Sequence, residues 1–184
     1  MAVRDICRMG NPILRRVADT VAREEIKTKE FSQLLEDMND SMLHYGGIGI
    51  AAPQIGVSKQ VCMIQLDEEN ERYEIEAEIG LTVFINPVIK ILDEKKQGFW
   101  EGCLSVPGLR GYVERARKIE VSYLDEKGKK QKIIAKDFLA IVIQHELDHL
   151  FGKLYIDRIT DPKKISFEQE FDEYIMPTLP ESES

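Results

Sequence analysis

The sequence predicts an α+β fold, with small antiparallel and mixed sheets packed around a central buried helix that carries an HExxH motif. Three observations predict it. Short strand-like runs fill the middle of the chain, one long apolar helical run follows them, and strands and helices do not alternate as a doubly wound sheet requires. With 184 residues, 43% of them apolar, the chain can bury a real core and is too short for two ordinary domains. The expected organisation is one globular unit over residues 1–165, then an acidic C-terminal helix and disordered tail over 166–184.

Each element has a local reason. Residues 30–45 set Phe31, Leu34, Leu35, Met38, Met42 and Tyr45 at helical spacing, and Gly46-Gly47 stops the run. Strand-like runs follow at 60–66, 82–86, 88–92, 118–124 and 129–135, the last two separated by the turn sequence DEKG at 125–128. The acidic stretch 67–80 reads as an exposed loop or insertion. From about 137 to 151, Phe138, Leu139, Ile141, Val142, Ile143, Leu147 and Leu150 leave almost no polar face, which predicts a helix buried on most sides. Near the end, Ser166 and Gln169 have capping-box spacing for a helix, and PTLPESES reads as a disordered tail. No internal repeat is present.

Charge and cysteine usage narrow the function classes. A formal net charge of -8 argues against free nucleic acid as the main partner. Cys7, Cys62 and Cys103 form an odd set without framework spacing, and the N-terminus lacks the apolar core of a signal peptide, so a reducing cytoplasm is expected. The apolar run FLAIVI is far below the roughly 20 residues that span a bilayer, so no membrane is expected either. A compact monomer is the expected state.

The chemistry begins in QHELDHLFG at 144–152. His145 and His149 lie one helical turn apart on one face, with Glu146 between them. Two imidazoles and two carboxylates in an apolar helix need compensation, and a divalent cation supplies it. A third ligand can be sought on either side. Downstream, the third-His position of one protease class is Tyr155, while Glu168 and Asp172 in EQEFD match a gluzincin-like metallopeptidase, or form a solvated helix face. Upstream, Cys103 in EGCLSVPG follows Gly102 and would complete a Cys plus two His site with an open fourth position. A third stretch, GIGIAAPQIG at 47–56, has the small residues that let a second backbone pack closely, and it contains Gln54.

These three stretches resemble, in order and approximate spacing, the signature motifs of the peptide deformylases. Gly47 to Gln54 matches GxGxAAxQ, Glu101 to Ser105 matches EGCLS, and His145 to His149 matches HExDH. The likeness extends over roughly residues 3–160. It implies a catalytic domain over 1–165 that removes the formyl group from the N-terminal formyl-methionine of new polypeptides and releases formate. Cys103, His145 and His149 would hold one divalent metal, natively Fe2+, with Zn2+, Ni2+ or Co2+ as substitutes. Metal-bound hydroxide would attack the formyl carbonyl, with Glu146 as general acid and base. The Gln54 amide and the backbone N–H of Leu104 would stabilise the oxyanion.

The same resemblance assigns the peptide path. Formyl-Met nascent chains would add as a strand near Ile48 and Gly49 on one side and Gly102 on the other. The methionine side chain would enter a pocket lined by Phe99, Phe138, Ile141 and Val142, with Arg110 beside later residues. A transient association with the ribosome is implied, although the acidic FEQEFDEYI does not suit docking on ribosomal RNA.

Overall fold

The structure is a computed structural model, and it describes residues 2–66 and 79–179. The helix expected over 30–45 is α1, Lys29–His44, capped at its N-terminus by Thr28, whose Oγ1 accepts from the Phe31 N–H at 3.2 Å. Strands β1 (Gly49–Ala51), β2 (Val61–Leu66), β3 (Ile79–Cys103), β4 (Val106–Leu124) and β5 (Lys130–Lys136) lie side by side in that order. Helix α2, Asp137–Leu150, follows β5 directly. A short strand β6, Ile165–Phe167, then pairs with β4, ahead of a helical turn α3 (Glu168–Glu170), a π turn over Phe171–Ile175 and a 3-10 turn over Met176–Thr178.

Pairing between the named strands is antiparallel throughout, which corrects the expected mixed sheets. The six strands form one sheet, and the parallel pairing among the described residues is an isolated bridge between Asp19 and Lys59. The links from β3 to β4 and from β4 to β5 are short turns, and these strands must run antiparallel, because a parallel return needs a crossover of a dozen residues or so.

The runs at 82–86 and 88–92 are one strand, not two. Register shifts between Ile85 and Val88, where Pro87 has no N–H to give the ladder and Asn86 takes φ +48°. Asn86 is held there by Val21, whose N–H donates to Oδ1 at 2.9 Å and whose carbonyl accepts from Nδ2 at 2.8 Å. The first half of β4 also escaped the pattern, since VPGLRG carries the Pro and Gly of a loop. Pairing with β3 overrides that composition. At the other end, Ser166 lies in β6, so the expected capping box does not form and the helical turn starts after Phe167. The acidic stretch 67–80 lies outside the described residues apart from Ile79 and Gly80, which open β3, and so does the tail beyond 179.

Two apolar layers fix α2 and α1. Ala140, Ile143, Leu147 and Leu150 of α2 pack with Cys62, Ile64 and Phe84 from β2 and β3 and with Ile119 and Val121 from β4. Met38 and Met42 of α1 pack with Val61, Met63 and Ile85. Each large side chain removed from water here contributes about 1.5–3 kcal/mol before entropy is counted. His145, Glu146, Asp148 and His149 share the burial of α2 and must find partners inside the protein. No helix among the described residues is long and apolar enough to cross a membrane.

Candidate active site

Three chain segments meet at α2. The first is β1 with the 3-10 turn Ala52–Ile55. The Ala51 N–H donates to Gln54 Oε1 at 2.8 Å, which fixes the amide so that Nε2 faces Ser105 Oγ at 3.2 Å and Cys103 Sγ at 3.6 Å. The second is the tip of the long β3–β4 hairpin. Cys103 ends β3, Val106 begins β4, and Leu104 and Ser105 form the turn between them. Gly47 permits Leu104 to approach, since a Cβ there would lie 3.1 Å from Leu104 Cδ1.

The third segment is α2 itself, whose first residue, Asp137, is anchored by Gln97 and Arg117 at 2.7 and 2.6 Å. One residue from the other end, His149 places Nε2 3.4 Å from Cys103 Sγ. The ligand atoms of Cys103, His145 and His149 all lie within 4.8 Å of one another. His145 Nδ1 is 2.8 Å from Glu101 Oε2. An ionised carboxylate only accepts, so Nδ1 carries the proton and Nε2 is left for the centre.

Behind the histidines runs a ladder of buried charge. Arg115 donates to both oxygens of Glu101, at 2.6 and 2.9 Å, and to Asp148 at 2.8 Å. Arg158 reaches Asp148 at 2.6 and 3.1 Å. Burial opposes ionisation of Glu101, yet Arg115 and His145 hold its carboxyl below the usual range. Burial likewise opposes a thiolate at Cys103, but the two imidazoles outweigh it and bring the thiol down to about 5. A thiolate and two imidazole nitrogens, converging on one point, fit a borderline divalent cation with a fourth position open.

Among the described residues, Glu146 lacks the carboxylate or guanidinium partners that His145 and Asp148 have. Its Oε2 is buried without a hydrogen-bond partner among the described residues, and burial raises its carboxyl above the ordinary value. It faces a cavity of about 660 Å³. Ile48, Gly49 and Gln54 line this cavity from the first segment. Phe99, Gly102, Leu104 and Arg110 line it from the hairpin, and Phe138, Ile141 and Val142 from α2. Cys103 and His145 also reach it, whereas His149 has no exposed surface and joins the cluster from within the core. Phe99 and Phe138 pack with ring centroids 5.2 Å apart.

Glu168 is not a third ligand. Its Oε1 accepts from Arg110 Nη2 at 2.8 Å, and the group of converging ligand atoms is completed by Cys103 instead. The gluzincin-like alternative is thereby corrected. Glu101, Arg115 and Asp148 were not singled out from the sequence. Glu101 lies inside a matched motif and Asp148 inside HELDH, so both carried a signal, whereas Arg115 sits in a strand without one.

The "Polypeptide deformylase" family profile matches residues 3–165 of the chain. A peptide deformylase of Leptospira biflexa serovar Patoc is 46% identical over 172 residues, covering 94% of this chain and 96% of that protein. Peptide deformylase 1 of Bordetella pertussis is 44% identical over 165 residues, covering 90% and 92%. Among solved structures, the Met-Ala-Ser-bound class I type b peptide deformylase of Acinetobacter baumannii superposes with a TM-score of 0.81 at 37% identity, covering 86% of this chain and 99% of that one. Matched along nearly its whole described length, the chain belongs to the polypeptide deformylase family, metalloenzymes that remove the N-formyl group from nascent polypeptides.

Proposed function

We propose that the cavity takes formyl-Met peptides and that Cys103, His145 and His149 hold the metal, with Fe2+ as the native ion and Zn2+, Ni2+ or Co2+ as substitutes. The observation that carries this reading is the convergence of one sulfur and two imidazoles within 4.8 Å, beside a buried carboxylate oxygen that has no partner. A divalent cation there polarises a carbonyl and acidifies water. The protein groups do the rest. Glu146 takes a proton from the attacking water at Oε2 and delivers it to the leaving amine, a role favoured by its raised affinity for protons. Gln54 Nε2, already aimed at Cys103, and the Leu104 N–H donate to the oxyanion as it develops.

Phe99, Phe138, Ile141 and Val142 enclose the methionine side chain, and Ile48, Gly49 and Gly102 offer backbone to a peptide strand. That an Acinetobacter baumannii relative is bound to Met-Ala-Ser supports a tripeptide beginning with methionine as a ligand of this cavity. Helix α2 then serves as the central element of the catalytic domain, residues 1–165. The enzyme works as a cytoplasmic monomer in transient contact with the ribosome, where its substrates emerge. Acidic groups at Glu168, Glu170, Asp172 and Glu173 argue against docking of that segment on RNA.

The test is formate release from formyl-Met-Ala-Ser by anaerobically prepared, iron-loaded protein, beside the acetylated and unblocked peptides. Formate from the formylated peptide alone, with every peptide bond intact, is the expected result. Cleaved fragments without formate would overturn it.

A further inference from the structure

The deformylase reading leaves one lining residue unexplained. Glu168 faces the same cavity as the metal ligands, yet it lies beyond the residues that the family profile matches. We propose that Glu168 is a specificity-determining residue of this cleft: it holds Arg110 so that the path for residues after methionine is indifferent to their charge. The inference rests on the deformylase reading and deepens it.

Register puts the two residues together. β6 pairs with β4 through Leu109 with Phe167, Arg110 with Ser166 and Gly111 with Ile165, which brings Glu168 beside Arg110. The ion pair closes at 2.8 Å, with the Arg110 side chain 17% exposed and Glu168 48% exposed. The guanidinium also lies close against Gly102 and over Phe171. A Cβ on Gly102 would lie 2.9 Å from Arg110 Nη1, and the Phe171 ring centroid is 5.9 Å from Arg110 Cζ. Phe171 is 5% exposed and packs on Trp100 with centroids 5.1 Å apart. The C-terminal segment is therefore seated by an aromatic anchor, and Glu168 projects from that seat into the cleft.

The place matters because Gly102 is adjacent to Cys103 in the chain. Gly102 and Arg110 line the same cavity, so a peptide strand running past Gly102 at about 3.3 Å per residue carries the residues after methionine along the guanidinium. Away from the buried ladder, the charged groups lining the cavity are Asp5, Arg8, Arg110 and Glu168, besides Glu146 at the centre. They are two acids and two bases, of which Arg110 and Glu168 form an ion pair. With Glu168 neutralised, Arg110 offers its charge and its donors to an acidic peptide side chain and repels a basic one. An enzyme for all new polypeptides gains from suppressing that preference.

The experiment compares formyl-Met-Ala-Asp and formyl-Met-Ala-Lys as amides, using the iron-loaded full chain and its Glu168→Gln variant. The ratio of kcat/KM for the Asp peptide over the Lys peptide should rise about threefold to fivefold, the scale of a partly exposed ion pair. The change should appear in KM and shrink at high salt. Emission of Trp100, the one tryptophan in the sequence, should be unaltered, which shows that the segment stays seated. Adding Arg110→Gln to Glu168→Gln should return the ratio to its original value. A ratio unchanged in Glu168→Gln, or still raised in the double variant, overturns the inference. Absence of formate from every peptide with the unaltered protein overturns the deformylase reading, and this inference with it.

Discussion

Gly49 and Glu146 touch so closely that a methyl group cannot stand between them: a Cβ on Gly49 would lie 2.5 Å from Glu146 Oε1 and 2.8 Å from its Cδ. The atoms in the way belong to the free end of a side chain, so the carboxyl can move and the backbone need not. Gly49→Ala is therefore expected to keep the fold and misplace the proton carrier. Turnover should fall by about a hundredfold or more, in the range general acid–base catalysis supplies. Metal content should match the unaltered protein, as it should in Glu146→Ala. Cys103→Ala, which deletes a proposed ligand, should instead lose the metal. Metal analysis beside formate release separates the cases, and full turnover in Gly49→Ala would remove Glu146 from the mechanism.

Arg115 joins two buried carboxylates, and its side chain is 4% exposed. Replacing it by Met takes the guanidinium from Glu101 and leaves Asp148 with Arg158 alone. The expected loss of stability is about 3–5 kcal/mol, as for other broken buried pairs. Because Glu101 also orients His145, metal affinity should drop by roughly 10- to 100-fold. Arg115→Lys should restore only part of both, since an ammonium cannot make the two parallel bonds to Glu101. Denaturant titration and competition with a chelator read the two quantities. Unchanged metal affinity in a destabilised Arg115→Met would confine the ladder to a structural role.

What could be read from the sequence follows from where the information is local. The apolar spacing of α1 and α2 and the turn at DEKG are decided within a few residues, and the elements formed where expected. Gly128, with φ +73°, supplies the left-handed residue that this turn uses. The first half of β4 and the whole of β6 are decided by partners far away in the chain, and VPGLRG or ISF alone gives no strand signal. The same division runs through the site. His145, Glu146 and His149 share one helical face, whereas the positions of Cys103 and Gln54 beside them depend on a hairpin tip and a 3-10 turn. Gly152, the last residue of QHELDHLFG, takes φ +70° just past the end of α2.

Asp37 of α1 ties the N-terminal segment down. Its side chain accepts from the Ala2 N–H at 3.2 Å, Gln33 Nε2 at 2.9 Å and Arg4 Nε at 2.8 Å. Burial disfavours the ionised carboxyl, but Gln33, Arg4 and Ala2 together hold its pKa below the ordinary value. A folded-state pKa below the unfolded one means stabilisation fully present above about 3.9, the unfolded value, and lost as the pH falls through the folded value. Asp37→Asn should therefore lower the urea midpoint clearly at about pH 7 and much less at about pH 3. A gap that widens in acid would show that the carboxyl is not held ionised by these partners.

Gly152 closes α2 at a point where two backbones meet. Its φ is +70°, and a Cβ would lie 2.7 Å from the Arg15 carbonyl carbon and 2.8 Å from its oxygen. The contact belongs to a seam in which the Ala18 N–H donates to the Leu150 carbonyl at 2.9 Å and Val17 bridges Phe151. Unlike the carboxyl beside Gly49, these are main-chain atoms, and moving them pulls the N-terminal segment off the end of the helix that holds His149. Gly152→Ala thus combines left-handed strain with a backbone clash and should cost about 2–4 kcal/mol. Gly10 supplies the control, with φ +106° and nothing within 4 Å of an added Cβ, so Gly10→Ala meets the conformational penalty alone. Thermal unfolding of the two variants tests the difference. Equal losses would mean that the Arg15 backbone yields freely and that the seam does not brace α2.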